Sequence, residues 1–155
     1  MRSAKPNFLT CSLLVLLSVG TLIAGCTAIG GKPFTPVDPT SDKAVIYIYR
    51  PRTFVGGAVS YPIYINNQKV TTLPHTGYYG YLAEPGEVFV AAKTPENEAH
   101  VKLDVKAGEE YYIKGGTATG QFSGRATLDQ VHPSQGREEI KNCAYYPAHD
   151  ELKKE

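Results

Sequence analysis

The chain has no tryptophan and only three cysteines among its 155 residues. It has no long run of helical period and no internal repeat, which argues against a helix bundle or a solenoid. Basic and acidic residues nearly balance, 16 against 15. Nothing in that charge suggests nucleic acid, which wants a clustered basic face. No Gly-x-Ser-x-Gly elbow is present to seat a nucleophilic serine. The four histidines, His75, His100, His132 and His149, never fall within four residues of one another. Zinc sites need three or four converging ligands, often two of them closely spaced, so no metal site is expected. No cofactor is expected either.

The N-terminus carries Arg2 and Lys5 and no acid ahead of an apolar segment from about Leu9 to Val19. That segment is shorter than the about 20 residues a spanning helix needs. A positive start, a short apolar core and a small-residue exit describe a secretory signal over residues 1–25. The segment ends in Ile23-Ala24-Gly25-Cys26, which resembles the lipobox of bacterial lipoproteins. Small Ala24 and Gly25 let a peptidase take the backbone extended, and only a thiol can become the lipid thioether. The expectation is cleavage between Gly25 and Cys26, with lipidation of Cys26. Two or more acyl chains give durable anchoring, each buried methylene contributing about 0.8 kcal/mol. By the same resemblance, Thr27 after the cysteine implies transfer to the outer membrane, facing the periplasm, in a Gram-negative host.

Processing changes the bulk numbers. Loss of Arg2 and Lys5 leaves 14 basic residues against 15 acidic ones. Cys11 leaves with the signal and Cys26 carries lipid, so Cys143 is the one thiol left. It is either buried as a small hydrophobe or available for pairing between chains.

Residues 27–42 read TAIGGKPFTPVDPTSD, without period and rich in Gly, Pro, Ser and Thr. They predict a flexible tether reaching on the order of 50 Å if extended. From Ala44 short β-rich runs take over. AVIYIYR (44–50) is apolar on both faces, as a central strand should be. SYPIYI (60–65) and QKVTTL (68–73) flank Asn66-Asn67, a pair that tolerates the positive φ of a tight hairpin. GYYGYLA (77–83) and EVFVAAK (87–93) flank Pro85-Gly86, which suits a type II turn. HVKLDVK (100–106) alternates cleanly, and Ala107-Gly108 turns into EYYIKG (110–115). A last strand is expected over Arg125–Val131. Eight short strands with regular turn signals predict an all-β, antiparallel β-sandwich of immunoglobulin or transthyretin-like type. A short C-terminal helix over Ser134–Asn142 is also expected, with Ser134 as its N-cap. The domain spans 43–145 and a charged tail 146–155.

AVIYIYRP, YPIYINNQKVTTLPHTGYYGYLAEPGE, AGEEYYIKG and VHPSQGREEIKNC, in that order, resemble a family of small bacterial lipoproteins with a domain of unknown function, related to PEGA-type β-sandwich modules. The resemblance covers residues 43–143 and implies a sandwich on a lipid tether. It brings no catalytic residues.

Three features carry possible function. Tyr78, Tyr79 and Tyr81 around Gly80 form an aromatic cluster that could serve as a stacking platform for a glycan or peptide. Cys143, with His132 or His149, is the one thiol–imidazole pairing available to a reactive thiol or redox partner. The glycine-rich stretch 115–124 predicts a mobile contact loop over one end of the sandwich. Glu109-Glu110 and Glu138-Glu139 read as solvated faces. The leading expectation is a non-enzymatic, lipid-anchored module of the cell envelope. Its partners would be the membrane, through the N-terminal lipid, and an envelope protein or glycan, but not nucleic acid.

Overall fold

All six residues of Ala44–Tyr49 are buried, which a strand achieves only when both faces and both edges are covered. In the computed structural model, which describes residues 32–54 and 56–151, this strand (β1) lies in the middle of a five-stranded sheet. The other strands are β2 (Tyr61–Ile65), β3 (Gln68–Leu73), β4 (Gly77–Ala83), β5 (Gly86–Lys93), β6 (Glu98–Val105), β7 (Glu110–Ala118), β8 (Arg125–Val131) and β9 (Ala144–Tyr145). One sheet runs β8-β7-β1-β4-β9 and the other β3-β2-β5-β6. Helix α1 (Pro133–Glu139) and a 3₁₀ turn (Ile140–Asn142) precede β9. This is an all-β sandwich with one short helix near the C-terminus.

Alternation along β1 feeds two cores. Ala44, Ile46 and Ile48 face the second sheet, where they meet Ile63, Val90, Leu103 and Val105. Val45, Tyr47 and Tyr49 face outward, yet they too are buried, beneath Ile140, Cys143 and Phe34. Strand β6 shows the expected one-sided pattern, with Leu103 and Val105 buried and His100, Lys102 and Asp104 exposed. Asn66 and Asn67 both take positive φ, 47° and 66°, in the β2–β3 hairpin.

The structure departs from the sequence reading in its connections. Gly86 has φ 126° as a turn residue should, but Pro85-Gly86 closes no hairpin. β4 and β5 lie in different sheets, so the chain crosses between layers there. The pairing is mixed, because β1 runs parallel to β7, and β4 to β9. Gly115 and Gly116 belong to β7, which their pairing with Leu128 and Thr127 prolongs to Ala118. The N-cap of α1 is His132, whose side chain accepts from Ser134 N–H, with Pro133 in the first turn; proline suits that position because its missing N–H would be unpaired there anyway.

Both expected free ends are docked over much of their length. Pro33 bridges to Ala144, and Lys32 O accepts from Tyr145 N–H at 2.8 Å. Phe34 packs edge-on against Tyr47 and Tyr78, with centroids 5.5 and 5.1 Å away. Val37 N–H donates to Tyr47 Oη at 2.7 Å. After β9, Tyr146 N–H donates to Tyr78 O, and His149 N–H to Val70 O. The outer sheet face is too apolar to stay wet, and Phe34 and Tyr145 pack against it.

Candidate functional site

The Gly25–Cys26 junction lies outside the described residues. The tyrosine cluster does not form one surface. Tyr78 is buried on the outer face, edge-on to Phe34 and to Tyr145 at 5.7 Å, and its hydroxyl accepts from Thr35 N–H. Tyr81, on the opposite face of β4, packs against the inner core, and Tyr79 is half-buried. Strand alternation separates neighbours in this way. Gly80 has its own reason: a side chain there would press on the ring of Tyr47, about 3.4 Å from where its Cβ would lie.

Cys143 is 3 % exposed, and its thiol donates to Arg50 O at 3.3 Å. Burial first, and then the nearby Glu139 carboxylate, push its pKa up to about 12. The partner of the sulfur is a backbone carbonyl, not His132 or His149. A thiol held this way is not a nucleophile at neutral pH. Nor are the paired carboxylates simply solvated. Glu110 accepts from Tyr112 Oη and Arg137, while Glu139 accepts from Tyr49 Oη and Lys114. They tie α1 to β7 and β1. Among the described residues, no three His, Cys, Asp or Glu side chains gather as a metal site would require.

What the structure does assemble lies at the end of the sandwich where β1 finishes. Arg50, the next residue, is 1 % exposed. Its guanidinium donates to Val59 O, Leu73 O, Gly56 O and Thr117 Oγ1, and lies 4.7 Å over the Tyr61 ring. These acceptors are neutral, so the charge is solvated by backbone dipoles rather than by an ion pair. One side chain thereby fastens the 51–59 loop to the end of β7. Thr53 N–H adds a bond to His75 Nε2 at 2.9 Å.

The neighbouring loop, 119–124, has its own clamp. The Glu96 carboxylate accepts from four successive backbone N–H groups, Gln121, Phe122, Ser123 and Gly124. Such a nest stabilises an anion strongly. The N–H groups of Ser123, Phe122 and Gln121 hold the carboxyl down to about 2. The glycine-rich stretch is therefore pinned rather than loose. Two phenylalanines project from these held loops: Phe54 and Phe122 are essentially fully exposed. Arg52 and Arg125, also exposed, stand close to them in the chain. The sequence reading gives neither Phe54 nor Phe122 a role. The loops that carry them are held by Arg50 and Glu96 through partners that include Leu73, Thr117 and Gln121, distant in the chain.

A second feature is a shallow depression of about 530 Å³ on the outside of the four-stranded sheet, lined by Asn66, Asn67, Phe89, Ala91, Glu98 and His100. Phe89 is 48 % exposed, and Lys102 Nζ lies 5.3 Å over its ring. Lys93 Nζ likewise covers Tyr64 at 4.8 Å.

Comparison with known proteins gives kinship without an activity. An uncharacterized protein of Haemophilus influenzae is 22% identical over 144 residues, an alignment covering 86% of this chain and 83% of the relative. A family model described as a protein of unknown function, DUF2846, matches residues 40–126, more than half of the chain, and the chain belongs to that family.

Proposed function

We propose that the chain is a lipid-anchored β-sandwich of the cell envelope that acts by contact with envelope components rather than by catalysis. The observation that carries this reading is the Ile23-Ala24-Gly25-Cys26 junction behind a short signal-like segment. Lipid on Cys26, with Thr27 after it, places the sandwich at the outer membrane on its periplasmic side if the host is Gram-negative. Kinship with PEGA-type modules belongs to the same proposal. Support from the fold is indirect. The candidate nucleophile Cys143 is spent on packing, whereas Phe54 and Phe122 are spent on nothing inside the domain.

A second reading is a glycan- or peptide-binding module. It moves from the GYYGY segment, whose rings face different ways, to the depression beside Phe89. There an exposed ring, two side-chain amides, a carboxylate and an imidazole border one hollow. Crosslinking in intact cells, read by mass spectrometry, tests the leading reading. It predicts crosslinks to envelope proteins or peptidoglycan. Crosslinks to cytosolic proteins alone would refute it. Binding to a glycan array that is lost in Phe89→Ser would favour the second.

A further inference from the structure

We infer that the end of the sandwich carrying Phe54 and Phe122 faces the lipid surface, with both rings seated in the bilayer interface. This deepens the proposed function and rests on lipidation of Cys26.

The argument begins with where the chain leaves the domain. Lys32 O is bonded to Tyr145 N–H. Tyr145 is level with Tyr78, and Tyr78 with Tyr49, the last residue of β1. The described chain thus begins level with the final rung of β1, at the end where both phenylalanine loops lie. Cys26 is six residues before Lys32, and six residues span at most about 20 Å. Residues 33–37 are docked and add no reach. An acyl group on Cys26 therefore keeps the domain close to the membrane, and the surface at each end decides which one faces it.

The surface at that end fits an interface. Two fully exposed phenylalanines on one end of a domain are costly in water unless something covers them. Aromatic rings beside basic side chains are the composition of interfacial anchors. Arg52 and Arg125 supply the positive charge. The one acid described within these loops' contacts, Glu96, is engaged by the four N–H groups, with Arg125 Nε 4.0 Å from its oxygen. The loops abut: Gly56 lies on Thr117, and Gly124 faces Val59. Arg50 and Glu96 hold them in shape, so little loop ordering opposes insertion.

Because the chain lacks tryptophan, single Phe→Trp variants report their own surroundings. The lipidated mature protein is reconstituted in phosphatidylethanolamine vesicles with a minority of phosphatidylglycerol, with or without brominated acyl chains. Phe54→Trp and Phe122→Trp should emit at shorter wavelength than in detergent-free solution and lose most of their emission to brominated lipid. Phe89→Trp, on the side of the sandwich, should do neither. Equal quenching at all three positions, or none at Phe54→Trp and Phe122→Trp in protein that floats with the vesicles, overturns the inference. Flotation and the acyl mass separate its failure from that of the anchor. Protein with no acyl mass refutes both; protein that is acylated and floating but unquenched refutes this orientation alone and points to a protein partner for the two rings.

Discussion

Arg50 donates to neutral oxygens, and among the described residues no carboxylate pairs with it. Removing the side chain leaves the carbonyls of Val59, Leu73 and Gly56 without that donor in a closed site. Hydrogen bonds to a charged group contribute about 1.5–3 kcal/mol each, and an orphaned buried carbonyl costs about 1–3 kcal/mol. Arg50→Ala should therefore destabilise the domain by on the order of 3 kcal/mol, read from denaturant unfolding. A midpoint equal to wild type would deny Arg50 this role. Glu96 gives a pH signature. Its carboxyl titrates near 2 in the fold against an ordinary value of 4.5. A lowered folded pKa contributes stability above the unfolded value and loses it as pH falls through the folded one. Tm should thus drop as pH goes from about 4.5 toward 2, and Glu96→Gln should flatten part of that drop. Cys143, pushed up to about 12 by burial, should resist a disulfide reagent at neutral pH until the protein is unfolded. Immediate stoichiometric labelling of the native protein would contradict its placement. None of these three environments was legible locally: each depends on hydrogen-bond partners from 23 to 93 positions away along the chain, with the Gly56 and Val59 carbonyls as the near exceptions.

At the scale of elements, α1 shows how packing overrides propensity. Gly136 is buried with the Tyr112 ring against it, and an added Cβ would lie only 2.3–2.4 Å from three Tyr112 atoms unless something shifted. Alanine favours a helix over glycine by up to about 1 kcal/mol, yet overpacking costs roughly 1–3 kcal/mol. Gly136→Ala should therefore destabilise the domain despite its better propensity, as a lowered Tm. Gly86 is the reverse case, with open space around it and φ 126°. Gly86→Val should cost about 1–2 kcal/mol from backbone strain alone; an unchanged Tm would deny the positive φ. Most strands were legible from the sequence because alternation and turn residues are local signals. β9 and the end of β7 were not. Two residues of β9 carry no period, and Gly115-Gly116 reads as loop until β8 pairs with it.

For the whole molecule, the sandwich was legible from eight strand-like runs, but its wiring was not. The sequence does not say that β4 and β5 part company across the sheets. Nor does it show that Phe34 and the segment around Ile140 and Cys143 cover the outer face. That covering explains the tyrosine content: Tyr47, Tyr49, Tyr78 and Tyr112 lie in the second core, with their hydroxyls taken by Val37, Glu139, Thr35 and Glu110. The proposed anchor at Cys26 rests on four residues of sequence alone, whereas the exposed rings at the end of β1 required the fold. Intact-mass analysis of the protein from fractionated cells tests the anchor most directly. A chain beginning at Cys26, with a diacylglyceryl group added and recovered in the membrane fraction, is the predicted result. A full-length chain beginning at Met1, without acyl mass and soluble in the cytoplasm, would contradict it.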